Sequence, residues 1–292
     1  MKWREGRRSD NVEDMRGRGG SMGGGAKFGL GTLVVAVAAY FLGVDPNLVL
    51  GIMGGADGSV QEAPTTVSAD QPLDEGADFM RVVLADTEDT WGALFQQAGS
   101  QYRAPRLRLY TGGTASGCGS ASSAMGPFYC PADERVYVDL SFFDELVRRF
   151  NAPGDSAAPG SFAQAYVLAH EVGHHVQHLM GLDEKVRGAQ QRASQEQQNA
   201  LQVRMELQAD CFAGIWAHHA QRARQIIETG DIEDALGAAA AVGDDMIQKR
   251  AQGYVVPESF THGSAAQRQQ WFEKGLNSGQ VGACDTFNAR SL

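Results

Sequence analysis

The sequence predicts an α+β fold, mainly helical with a small sheet, in a domain of residues 75–292 preceded by one transmembrane helix. Three observations carry that reading. Apolar residues recur at helical spacing through Phe162, Ala165, Ala169, Val172, Val176 and Leu179. Two short stretches, 107–110 and 136–138, have the alternation and β-branched or aromatic content of strands. A charge-free apolar run, 28–44, follows a basic leader and is long enough to span a thin bilayer.

Taken from the N-terminus, residues 1–27 hold seven Lys or Arg against four Asp or Glu, with many glycines and no apolar period. They read as a flexible cytoplasmic leader that forms no core. Residues 28–53 then form the anchor region. Its small-residue sequence Ala36-Val37-Ala38 resembles a signal cleavage site but falls inside the apolar run, so the anchor is retained. Basic residues ahead of the span keep the N-terminus cytoplasmic and place the domain outside the cell's inner membrane, periplasmic or extracellular. The lipid bilayer is thus an expected partner, contacted through this one helix. Residues 54–74, rich in Gly, Ser, Thr, Pro and acid, form a linker.

Within the domain, Phe79, Val82, Val83, Trp91, Leu94 and Phe95 mark a first helix. The two strands follow, separated by a Gly- and Ser-rich loop over 111–123. After Pro159 and Gly160, Ser161 with Gln164 three residues on starts the next helix, and Gly181 stops it. Another helical stretch runs over about 194–227, and a further one over 235–250, before Tyr254, Val255 and Pro257 lead to His262. No internal repeat, phosphate-binding glycine loop or serine nucleophile motif is present. The formal net charge of −10 argues against nucleic acid as a partner.

The chemistry sits in His170-Glu171-Val172-Gly173-His174, an HExxH motif inside an apolar helix. Histidines four apart share one helix face, so each ring can offer a nitrogen about 2.0–2.1 Å from one Zn2+ ion. Glu171 lies beside them as the acceptor of a proton from water. A catalytic zinc needs a third protein ligand. The long motif with Gly three and His six residues beyond the second histidine is excluded, because those positions hold Gln177 and Met180. His178 is about 12 Å along the helix from His170, too far for one coordination sphere, and His175 points to another face. Glu206 and Asp210, one turn apart on the next long helix, are better placed. Glu206 can complete a His-His-Glu set, and Asp210 can bond the outer nitrogen of a liganding histidine. Cys118, between Gly117 and Gly119, is an alternative ligand of the kind found in deformylase-type hydrolases.

With both helices considered, the chain resembles the bacterial family of neutral zinc metallopeptidases, membrane-anchored relatives of the gluzincins. The likeness is nearly full length. It includes Asn11-Val12-Glu13-Asp14-Met15-Arg16-Gly17, Gly126-Pro127-Phe128-Tyr129-Cys130-Pro131, Val136-Tyr137-Val138-Asp139, the HExxH helix, Thr261-His262-Gly263, Arg268 and Trp271-Phe272. The resemblance implies a zincin-like metallopeptidase domain with Glu206, in the pattern ExxAD, as third ligand. It also implies that one of the two strands receives substrate backbone. Related chains usually carry Thr-His-Pro where this one has Gly263, which puts the role of His262 in question. His262 and Tyr254 are both candidates to stabilise the oxyanion.

The four cysteines allow three pairings. Cys118 and Cys130, close together and loop-flanked, suit a disulfide, leaving Cys211 and Cys284, of which Cys211 also suits a buried thiol. The expected function is therefore a membrane-anchored zinc endopeptidase, with His170, His174 and Glu206 on the metal, Glu171 catalytic, and proteins or peptides outside the cytoplasm as substrates. The competing readings are a non-catalytic membrane scaffold with a structural zinc, and a deformylase-like amidohydrolase.

Overall fold

The computed structural model describes residues 1–17, 74–150 and 161–292, so the anchor region 28–53, the linker up to residue 73, and Pro159 and Gly160 lie outside the described residues. Strand β1 (Val12–Asp14) is followed by helix α1 (Glu75–Gln97), β2 (Arg106–Tyr110), β3 (Gly113–Ser116), β4 (Gly119–Ser122), β5 (Phe128–Cys130) and β6 (Arg135–Asp139). The helices α2 (Ser141–Phe150), α3 (Phe162–Leu179), α4 (Leu182–Gln190), α5 (Gln195–Arg224), α6 (Asp231–Ala241), α7 (Asp244–Gln252) and α8 (Ala265–Ser278) complete the chain. The fold is mainly helical with a small sheet, as expected. Among the described residues no helix is long and apolar enough to cross a membrane.

The sheet has the order β1-β2-β6-β5, with β1, β2 and β6 parallel and β5 antiparallel to β6. Leu107, Leu109, Val136 and Val138 point into the core and are fully buried. On the other face Arg106, Arg108 and Arg135 gather around Glu13. Both strands expected from sequence are interior, with neighbours on each side, so neither can accept a substrate strand. Among the described residues the sheet's edge strands are β1 and β5. The expected loop over 111–123 contains the β3–β4 hairpin, and the Cys118–Cys130 bridge ties it to β5.

The N-terminal leader requires a correction, because residues 1–17 form part of the domain. Trp3 is 5% exposed and meets Phe79 edge-on at 5.3 Å, and Val12 is 3% exposed. β1 pairs with β2 in register from Val12 and Leu107 to Asp14 and Leu109. The arginines that suggested a solvated leader have acidic partners on α1 or at its N-cap: Arg4 with Glu75, Arg7 with Glu88 and Asp89, Arg8 with Asp78, and Arg16 with Asp74, while Arg16 also pairs with Asp14 of β1.

The expected helix over 235–250 is two helices. In a continuous helix the Asp244 amide would bond the Ala240 carbonyl, but here it donates to the Gly263 carbonyl at 2.9 Å, and the chain turns at Gly243. α5 is held on two sides. It packs against α3, and against α8 at a contact where a Cβ on Gly275 would lie 1.9 Å from the Cys211 carbonyl oxygen, so only glycine fits. Cys211 and Cys284 form a second disulfide, closing a loop of 73 residues in sequence separation. Loop closure of that length is worth about 4 kcal/mol on the chain-entropy account.

Candidate metal centre

α3 forms because Ser161 caps it and because Leu168, Ala169, Val172 and Val176 bury one face in the core. Its other buried face carries His170 and His174 toward α5. The two helices meet closely at Gly173, where a Cβ would stand 3.0 Å from the Ala209 carbonyl oxygen. That approach brings Glu206, one turn before Asp210, against both histidines.

The Oε2 atom of Glu206 lies 3.2 Å from Nε2 of His170 and 3.5 Å from Nε2 of His174. Ligand atoms about 2.0–2.1 Å from a tetrahedral metal stand about 3.3–3.4 Å apart, so both distances suit a zinc sphere. All three ligand atoms are within 4.8 Å of one another, and no other such group occurs among the described residues. These three side chains form a group that could hold a metal ion through two histidine nitrogens and one carboxylate oxygen.

Each donor is oriented from behind. Asp210 accepts from Nδ1 of His170 at 2.8 Å, which leaves Nε2 facing inward. Asp210 is itself fixed by the Tyr166 hydroxyl at 2.5 Å and by both Nε and Nη2 of Arg268 at 2.8 Å. Gln177 plays the corresponding part for His174. Its Nε2 donates to the Met205 carbonyl at 2.8 Å and to Oε1 of Gln208 at 3.0 Å, so its Oε1 faces Nδ1 of His174 at 2.9 Å. Gln208 in turn donates to the carbonyl of Cys284, which is bonded to α5 through Cys211. Gln202 holds Oε1 of Glu206 at 2.9 Å, leaving Oε2 for the metal.

The electrostatics agree with this arrangement. Burial would lower the His170 imidazole, but Asp210 and Glu206 together outweigh it and raise the ring to about 10, so a metal bound there would displace a proton. Burial would raise the Glu206 carboxyl, but His174 and His170 hold it well below the usual carboxylate range. Glu171, 8% exposed, is raised by burial against the opposing pull of His170 and His174. A raised carboxylate beside the metal position suits a proton acceptor.

Of the two oxyanion candidates, His262 is near enough for its charge to act on Glu206, whereas Tyr254 stands 62% exposed in the turn after α7. Asp244 positions His262. Its Oδ2 accepts the backbone N–H groups of Thr261, His262 and Gly263 at 2.7, 2.6 and 3.0 Å, and Oδ1 lies 3.4 Å from Nδ1 of His262. This explains the departure from Thr-His-Pro. Gly263 has φ +90° and donates its N–H to Asp244, and proline could do neither.

The other candidate ligands have different tasks. His178 bonds Asp183 at 2.8 Å. His175 donates Nε2–H to the Arg103 carbonyl and accepts from the Tyr129 hydroxyl, and burial lowers its ring to about 4. Cys118 is in a disulfide and offers no thiolate. The sequence reading identified neither Gln177 nor Tyr166 as a support. Their spacing was a signal, since Tyr166 lies one turn before His170 and Gln177 one turn after His174. Gln177→Leu is expected to weaken zinc binding by about 10–100-fold, measured by competition with a chromophoric chelator. An unchanged dissociation constant would remove Gln177 from the site.

Comparison with known proteins gives the same direction. A family model described as "Putative neutral zinc metallopeptidase" matches residues 1–287. The uncharacterized protein YpfJ of Escherichia coli (strain K12) is 50% identical over 295 residues, covering 98% of this chain and 99% of that one. The uncharacterized protein Rv2575 of Mycobacterium tuberculosis (strain ATCC 25618 / H37Rv) is 43% identical over 272 residues, covering 87% and 86%. No solved structure matches.

Proposed function

The chain belongs to this family of neutral zinc metallopeptidases, and on that premise we propose that it is a zinc-dependent endopeptidase acting on extracytoplasmic proteins or peptides. The observation that carries the reading is the meeting of Nε2 of His170, Nε2 of His174 and Oε2 of Glu206 beside Glu171. When bound by these three atoms, zinc supplies Lewis-acid polarisation of the scissile carbonyl and lowers the pKa of water toward about 7.

The chain's own groups do the rest. Glu171 accepts the proton of the attacking water and delivers it to the leaving amine. His262, held by Asp244, donates to the oxygen that gains charge as the carbonyl carbon becomes tetrahedral. The side chains of His174 and His262 are 17% and 30% exposed against 8% for His170, so substrate enters from their side. An extended peptide adds to β5, the sheet edge whose Tyr129 ring packs 5.3 Å from His175 on α3.

The two disulfides support an oxidising compartment. The apolar run 28–44 supports attachment to the cytoplasmic membrane. A scaffold with structural zinc would need a fourth protein ligand and no Glu171. The deformylase-like reading loses its cysteine ligand to the disulfide.

Purified protein is expected to bind one zinc and to cleave an unfolded protein substrate. Excess chelator should abolish cleavage, and one equivalent of zinc should restore it. Cleavage that persists in metal-free protein would refute the reading, as would a zinc-loaded protein that cleaves no peptide bond.

A further inference from the structure

Gly17 and Asp74, the described residues on either side of the stretch that holds the apolar run, lie close together. Arg16 bonds Asp74 at 2.7 Å, so the two ends that flank this stretch meet at one place. Everything upstream is bound into the domain by short backbone contacts. The Leu107 amide donates to the Asn11 carbonyl at 2.8 Å, the Met15 amide to the Leu109 carbonyl at 2.9 Å, and the Ser9 amide to the Arg81 carbonyl at 3.0 Å. Such bonds need about 2.7–3.2 Å, whereas a bilayer's hydrocarbon core is about 30 Å thick. Residues 1–17 cannot make them from the far side of a membrane.

We infer that residues 1–17 lie on the same side of the membrane as the catalytic domain, so the chain between them makes an even number of crossings or none. The leader-in, domain-out arrangement expected of a single span is then excluded. The charge signal that suggested it has another use. Here Arg4, Arg7, Arg8 and Arg16 each face a carboxylate of the domain. Holding the leader on the opposite side would strip these pairs, uncover the edge of β2 and leave the Trp3 contact with Phe79 unmade.

This inference does not depend on zinc or on peptidase activity, and it can be tested in cells with the full chain. Asp10 and Glu273 are both exposed. Asp10→Cys and Glu273→Cys, made separately, each add one thiol to a chain whose own four cysteines are paired. Intact spheroplasts are treated with a membrane-impermeant maleimide, and labelling is compared with that after detergent lysis. The expected result is the same fraction labelled at both positions before lysis. Labelling of position 273 in intact cells, with position 10 reacting only after lysis, would overturn the inference.

Discussion

Glu171→Gln is expected to keep one zinc per chain while lowering kcat by about 10²–10⁴-fold, the range that a positioned general base contributes. The substitution is nearly isosteric and touches none of the three atoms that converge at the metal position, so His170, His174 and Glu206 keep their geometry. What it removes is a proton acceptor. Glu171 is 8% exposed and raised by burial, which is the setting in which a carboxylate takes a proton from water and gives it up again. Removing a ligand should give the opposite pattern: Glu206→Ala should lose the metal first and activity with it. Metal content and turnover on an unstructured peptide, measured on the same samples, separate the two. Wild-type turnover in Glu171→Gln would show that another group accepts the proton.

Much of this site was legible because it is written in local periods. His170 and His174, and then Glu206 and Asp210, are one turn apart on helices whose apolar faces and caps are also local, and α5 begins within one residue of its expected start at Ser194. The unread parts depend on partners far away in sequence. β1 is three residues long with only Val12 fully buried, and its neighbours are arginines whose acids lie some sixty to eighty residues later. No window of the chain distinguishes such arginines from solvated ones. The Asn11–Gly17 stretch was visible as part of the family pattern, but the pattern alone does not say that it is a strand. The break at Asp244 has the same origin, since its partners are the backbone groups of 261–263. The departure at Gly263 looked like a defect in a motif, yet it follows from a backbone conformation that only the fold reveals.

Arg268→Met is expected to be the most destabilising change near the site, because it removes the cation from a fully buried pair. Asp210 has no exposed surface and Arg268 is 4% exposed. Taking away one partner of a buried ion pair costs about 3–5 kcal/mol, which for a domain of this size is a fall in Tm of about 6–20 °C. The pH dependence gives an independent sign. Burial alone would raise the Asp210 carboxyl, but Arg268 and then His170 bring it down to about 2 from the ordinary 3.8. A depressed folded pKa means that the stability Asp210 contributes is complete above the ordinary carboxylate pKa and is lost as pH falls toward about 2. Without Arg268 part of that depression goes while the pull of His170 stays, so acid unfolding of the metal-free protein should begin at higher pH. Adding Asp210→Asn removes the carboxylate that His170 alone then faces, so the double variant should lose less than the sum of the two single losses, and zinc affinity falls because the support of His170 at Nδ1 is weakened. Thermal melts of the two single variants and the double variant, each metal-free, would show whether the cluster behaves as one unit. Additive losses, or a shift in Arg268→Met of less than about 2 °C, would mean that Asp210 is held in place without its arginine.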